Sequence, residues 1–223
     1  MLLTTSYKVI MIFIEKTEVG GWEAAIRGMR NPMNSWDKSD SLFWPGHMQI
    51  GKADLDLMKR LVASGTDHSK FMRFIIVTAD ITAPLYWYKE YETYKVGTVS
   101  NSCSTMHKIQ AKEFTIDDFS HEHLLSDEPI PTRFYSAEGM MEATVENLNM
   151  FRKLYLETKD KCYWWQMIQL LPSSYNQKRT VLLNYAVLRN MYHARKNHKL
   201  DEWHQFCAWI ETLPFSELIT MEV

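Results

Sequence analysis

Apolar and polar positions along this chain repeat with two different periods, and the changes of period mark out its elements. Ser6 to Lys16, SYKVIMIFIEK, is a nearly continuous apolar run rich in branched residues and predicts a first strand, followed by a turn at EVGG. Trp22 to Arg30 predicts a short helix stopped by Asn31-Pro32, because the residue before a proline is disfavoured in helical conformation. Met33 to Gly46 is polar with scattered tryptophans and reads as a loop. Lys52 to Ala63, KADLDLMKRLVA, has the helical period and ends at Gly65, a good residue to close a helix. Phe71 to Thr82 predicts a second strand, after which Ala83-Pro84 opens a helix dense in aromatics, YWYKEYETY.

The second half is more helical. Glu138 to Tyr155, and onward to Leu171, predicts one long helical tract with Leu148, Phe151, Leu154 and Tyr155 on a stripe, ended by Pro172. From Leu171 to Trp203 an apolar series, Val181, Leu182, Leu188, Met191 and Tyr192, recurs at roughly helical spacing beside Asn184, Arg189, Asn190, His193 and Arg195. That combination predicts a helix that packs on one face and offers amides and cations on others, a surface suited to an anion or simply to water. Strands followed by helices make the class α+β, and the length suits a single domain over residues 1–223, with two small ones the alternative.

Composition narrows the function classes. The chain is 46% hydrophobic and 23% charged over 223 residues, ordinary for a globular domain, and its net charge of -2 supplies no field to attract nucleic acid or an anionic membrane. No apolar stretch is long enough to span a bilayer. The opening MLLTTSYKVIMIFIEK lacks a cationic leader and is interrupted by Lys8, so no signal peptide is expected, and three widely spaced cysteines make a reducing cytoplasm the expected location. Cys103, Cys162 and Cys207 have no paired spacing for zinc or a redox couple. His121 and His123, with Asp117, Asp118, Glu122, Asp127 and Glu128 nearby, do not converge at a spacing of two, so no metal is expected. Eight Trp, eleven Tyr, ten Phe and fourteen Met suit planar ligands, a core or a subunit interface equally.

The order Leu171-Pro172, Asn184, Asn190, Arg195, His198 and Trp203 resembles the C-terminal signature of flavin-dependent thymidylate synthases, in register from Leu171 to Arg195 and with about one inserted residue before Trp203. Upstream, GTDHSKFMRFIIV from Gly65 to Val77 is similar to that family's Gly-His-x-Ser/Thr-Pro-Phe-Glu-His segment, ITAPLYW from Ile81 to Trp87 to the strand and helix after it, and WEAAIRGMRNPMNS from Trp22 to Ser35 loosely to an early Ala-rich segment. The resemblance implies a central mixed sheet flanked by helices, and methylation of dUMP to dTMP by methylenetetrahydrofolate with reduced FAD and NADPH, in a homotetramer whose ligands are small molecules. The cofactor carries the hard chemistry and the protein orients it.

The resemblance also assigns residues. Ser69, Lys95, Asn184, Asn190 and His198 fall at cofactor-binding positions; Glu90, Cys103 and Arg195 fall at substrate positions, with Arg195 also the catalytic candidate beside the pyrimidine carbonyls. Departures are equally specific. The family's Arg-His-Arg stands here as Thr93, Tyr94 and Lys95; its glutamine is Glu90, its serine Cys103, its Arg-Tyr pair Thr105 and Met106, and another arginine Ile168. His68 and Arg73 belong to the altered upstream segment. Lys89, Lys95 or Arg189 would then replace the lost phosphate contacts. Two alternatives stand beside an active synthase: the same fold keeping a flavin or nucleotide with another or no reaction, and a non-catalytic oligomeric binding protein.

Overall fold

A computed structural model describes residues 11–126 and 136–222. Strand β1 (Phe13–Gly20) leads into helix α1 (Trp22–Arg30). The hairpin β2 (Leu42–Trp44) and β3 (His47–Gln49) precedes α2 (Lys52–Ala63). Then come β4 (Ile76–Pro84), α3 (Leu85–Tyr91), β5 (Val99–Ser102) and α4 (Thr105–Lys108). Helices α5 (Ala137–Thr158) and α6 (Lys161–Leu170), strand β6 (Asn176–Asn184), α7 (Tyr185–Arg195), α8 (Asp201–Glu211) and α9 (Glu217–Thr220) complete the chain. The class is α+β as expected, and the central sheet, in the order β1-β4-β6-β5, is antiparallel where a mixed one was anticipated.

Several boundaries agree with the residue pattern and others are moved by local chemistry. Helices α1 and α2 coincide with the expected spans, and Gly65 takes the left-handed φ of 98° just beyond α2. The first strand begins at Phe13 and runs to Gly20, through the expected turn; residues 6–10 of the predicted strand lie outside the described residues. The turn falls instead at Gly21, whose φ is 88° and where a Cβ would lie 1.9 Å from the Phe74 carbonyl oxygen, so only glycine passes there. The expected loop after Met33 contains a 3-10 turn and strand β2, closed by Pro45 and Gly46 with Trp44 opposite His47. Phe71 and Met72 belong to a 3-10 turn, Lys70–Arg73, so the second strand starts later than its apolar run.

The largest departures are in the second half. The long helical tract is two helices, because Lys159 adopts a left-handed φ of 59° and Asp160 then caps α6, its carboxylate accepting the Cys162 N–H at 2.9 Å. The residues before Asn184 are strand, not helix. In β6 the buried positions are Gln177, Val181 and Leu183, a period of two, whereas in α7 they are Tyr185, Val187, Leu188 and Met191, the helical period. Adding one element's apolar residues to the next produced the apparent single helix.

Two compact units can be distinguished, each discontinuous in sequence. Unit 1 comprises, among the described residues, 11–13, 82–91, 101–126 and 136–179; unit 2 comprises 14–81, 92–100 and 180–222. Unit 1 is centred on Ile109, Phe114, Phe119, Leu148 and Met167, with Phe151, Tyr155, Trp164 and Tyr175 packed against them. The Leu85 N–H bonds the Tyr175 carbonyl there. Unit 2 buries Trp22, Trp203, Phe206, Ile210, Leu188 and Met191, and joins α7 to the start of β4 through the Tyr185 N–H and the Ile75 carbonyl. No helix among the described residues is long and apolar enough to cross a membrane.

Candidate functional site

Most of the residues singled out in the sequence lie in unit 2, around α7. Asn184 ends β6 and caps α7: its side-chain oxygen accepts the Val187 N–H at 2.9 Å. Its amide nitrogen lies against Gly97, where a Cβ would come within 2.5 Å of it and where φ is 83°. One end of α7 is thereby fitted closely to segment 92–100. At the other end Arg195 donates from Nε to the Tyr94 hydroxyl at 2.9 Å, with its guanidinium carbon 5.5 Å from the Tyr94 ring and 4.9 Å from the Trp203 ring. Trp203 is wholly buried, so this mounting is rigid. His198 meets the same indole edge-on, donates its backbone N–H to the Arg195 carbonyl, and accepts the Leu200 N–H at Nδ1.

Arg195, His198 and Tyr94 thus form one group. Ser69, Lys95 and Asn190 are not joined to it by any hydrogen bond or ion pair among the described residues. Ser69 reaches only the Thr66 carbonyl, at 3.5 Å; Lys95 and Asn190 are exposed with uncommitted side chains. His68 and Arg73 are also exposed. Of the cations expected to replace the lost arginines, Lys89 and Lys95 are exposed and Arg189 is engaged. Arg189 donates to the Ile219 and Leu218 carbonyls at 2.8 and 3.4 Å, His193 bonds the Ile219 carbonyl at 3.1 Å, and Lys196 pairs with Glu222. The basic side of α7 holds the chain's own C-terminal segment.

Glu90 and Cys103 belong to unit 1. Glu90 is half-buried in the last turn of α3. Cys103 is exposed and lines a cavity of about 330 Å³ together with Ser104, Thr105, Lys108, Asn176, Gln177 and Lys178. Its backbone is fastened to β6, the N–H to the Lys178 carbonyl at 3.0 Å and the carbonyl to the Gln177 amide at 2.7 Å. Gln177 in turn accepts the Arg179 Nε–H at 3.0 Å, and the Arg179 guanidinium lies 3.8 Å from the centre of the Tyr88 ring. Burial drives the Tyr88 hydroxyl far above the ordinary phenol range, with the Arg179 charge opposing, so Tyr88 stays neutral. The Asn176 side-chain oxygen is buried and has no hydrogen-bond partner among the described residues. Such an acceptor costs about 1–3 kcal/mol unless something donates to it.

Asn176, Gln177 and Arg179 were not picked out in the sequence. The signal was available: read with a period of two, β6 places Gln177 and Arg179 on one face, and an amide among buried apolar neighbours is conspicuous. Among the described residues no three His, Cys, Asp or Glu side chains group as metal ligands; His121 Nδ1 instead bonds the Phe119 carbonyl at 2.8 Å, and Asp127 and Glu128 lie outside the described residues.

No protein-family profile matches the chain, and no curated protein matches it in sequence. Its fold is nonetheless similar to solved ones. Two structures of flavin-dependent thymidylate synthase ThyX from Helicobacter pylori, each with FAD and dUMP, superpose with TM-scores of 0.65 and 0.66 at 16% identity. They cover 95% and 96% of this chain and 96% and 98% of theirs. A UMP/dUMP methylase, PolB from Streptomyces cacaoi bound with 5-Br dUMP, superposes with a TM-score of 0.59 at 16% identity, covering 94% of each chain. At that identity the likeness establishes the fold.

Proposed function

We propose that the chain binds a pyrimidine nucleoside monophosphate in the unit 1 cavity and acts as a divergent flavin-dependent thymidylate synthase, methylating dUMP with methylenetetrahydrofolate, reduced FAD and NADPH. It would do so as one domain over residues 1–223, assembled as a homotetramer. The observation that carries this reading is the buried oxygen of Asn176, without a partner among the described residues, beside a cavity lined by a second amide, hydroxyls, lysines and the carboxylates of Asp117 and Asp118, the latter paired with Lys112. Uracil offers an N3–H donor between two carbonyl acceptors, which matches an amide oxygen beside an amide; a phosphate suits Ser104, Thr105 and Lys108. The fold shared with proteins that hold dUMP and 5-Br dUMP supports the same class of ligand.

For the flavin, the residues fit in kind. Lys95 and Asn190 keep polar groups that no bond among the described residues consumes, and Ser69 is held only by a 3.5 Å bond to the Thr66 carbonyl; these groups suit the diphosphate and polar ring edge of FAD. The flavin, when bound, supplies the electrons that convert a transferred one-carbon unit to a methyl group. This chain's own residues bind and orient. Gln177, held between Arg179 and the Cys103 carbonyl, presents a fixed amide, and Tyr88 fixes Arg179. Arg195, clamped by Tyr94 and Trp203, is the cation assigned to an anionic ligand group; its rigid mounting lowers the entropy lost on binding.

One observation favours a second reading, nucleotide binding without methylation. Where the family has Arg-His-Arg the chain has Thr93, Tyr94 and Lys95, and Tyr94 engages Arg195 directly. Titration of the purified protein with dUMP, followed by calorimetry, tests the shared part; no saturable binding overturns both readings. A yellow flavin spectrum, or uptake of added FAD, together with rescue of a thymidine-requiring strain is the result expected of the synthase. Binding of dUMP without flavin uptake or rescue selects the second reading.

A further inference from the structure

We infer that unit 2 carries a separate small-molecule site on α1, built for a planar heteroaromatic acid bearing an N–H group. A cavity of about 490 Å³ opens there, within the range of ligand pockets, lined by Ile26, Trp36 and Phe43, with Glu23, Arg27 and the Asp54-paired Arg30 as its charged groups.

The walls are held in place by a costly device. Arg30 and Asp54, both buried, pair at 2.6 Å. Arg30 also donates to the Ser35 and Lys38 carbonyls at 3.1 and 2.9 Å. Asp54 accepts the Ser39 and Ser41 hydroxyls at 2.7 and 2.6 Å and the Asp40 and Ser41 N–H groups at 3.2 and 3.1 Å. Every one of these partners lies in residues 35–41, the segment that carries Trp36. The Trp36 indole N–H is itself pinned to the Asn31 side chain at 2.8 Å. A buried ion pair adds little to stability over apolar packing, so its use here is positional.

What it positions is a tryptophan left 50% exposed. A rigid, open aromatic face is what a stacking ligand requires. The charges complete the match. Glu23 and Arg27 lie one helical turn apart on α1, and neither forms an ion pair among the described residues. Arg27 takes the acid group and Glu23 accepts the ring N–H, while the ring stacks on Trp36.

Indole-3-carboxylate is a direct probe, with 1-naphthoate lacking the N–H and indole-3-carboxamide lacking the charge. Saturation-transfer NMR and calorimetry on the full chain should show saturable binding of indole-3-carboxylate, weakened about tenfold by Trp36→Ala, a loss equivalent to about 1.4 kcal/mol. Arg27→Ala should weaken indole-3-carboxylate and leave the carboxamide unaffected; Glu23→Gln should weaken it more than 1-naphthoate. Trp36, Glu23 and Arg27 are surface residues, and circular dichroism confirms that the variants fold. Absence of saturable binding at millimolar concentration, or equal affinity for the parent and Trp36→Ala proteins, overturns the site. Neither result bears on dUMP binding in unit 1.

Discussion

Arg195 and Tyr94 form a pair whose coupling can be measured. With Arg195 serving an anionic ligand, Arg195→Ala is expected to weaken FAD binding by about 1.5–3 kcal/mol, the range for a hydrogen bond to a charged group. Tyr94→Phe keeps the ring but removes the 2.9 Å bond to Nε, so a loss of about 1 kcal/mol is expected, with no further loss when it is added to Arg195→Ala. Additive losses in calorimetry would separate the two residues, and an unchanged dissociation constant in folded Arg195→Ala would remove it from any ligand site. Asp54 yields a prediction about pH. Burial opposes its ionisation, but hydrogen bonds from Ser41, Ser39 and Arg30, with the Arg30 charge, outweigh that and hold its carboxyl below the ordinary 3.8. A carboxyl depressed on folding stabilises above its unfolded pKa and loses that contribution as pH falls through the folded one. Urea unfolding should therefore show Asp54 supporting the parent protein fully at neutral pH and progressively less below pH 3.8. Asp54→Asn should lose about 3–5 kcal/mol at neutral pH, because Arg30 is left buried and unpaired; a loss below 1 kcal/mol would mean that water reaches Arg30.

Among the elements, the junction of β6 and α7 governs the unit 2 candidates. Asn184→Ala removes the α7 cap and should cost about 1 kcal/mol in urea unfolding, with Asn184→Asp close to neutral. An Ala variant as stable as the parent would show that the cap is dispensable. This junction is also where the chain was hardest to read. Helices α1 and α2 were legible because each is bracketed by local breakers, Gly21 and Asn31-Pro32, Gly51 and Gly65. Between β6 and α7 no glycine or proline intervenes, and Val181-Leu182-Leu183 satisfies either period over so short a span. Asp160 was a cap signal hidden between two lysines, so α5 and α6 looked continuous. Asn184 and His198, read as ligand donors, are engaged in local structure, a role that likeness of sequence cannot distinguish from binding.

For the molecule as a whole, ligand binding should appear as stability. Saturation with dUMP at a hundredfold excess over its dissociation constant adds about 2.7 kcal/mol, which raises the melting temperature by roughly 5–10 °C in a chain of this size. A melting curve indifferent to dUMP would leave the unit 1 cavity without its proposed ligand. The class of fold was readable from the order of strand and helix patterns together with the resemblance. The cavity was not, because Cys103 and Gln177, 74 positions apart, meet through the Gln177 side-chain amide and the Cys103 carbonyl, a long-range contact that no local pattern announces. The aromatic cavity on α1 was hidden for a similar reason: its frame depends on Arg30 finding Asp54, two charges whose burial composition could not reveal.

Gly97 has a practical consequence for anyone diversifying this protein. It is exposed, beside Val96 at 88% exposure, and by accessibility alone it belongs with the freely variable surface. Yet a Cβ there would strike the Asn184 amide at 2.5 Å and would have to tolerate a φ of 83°. In a randomised library, position 96 should accept most residues and position 97 almost none. Display on the outside and freedom to vary come apart within one peptide bond.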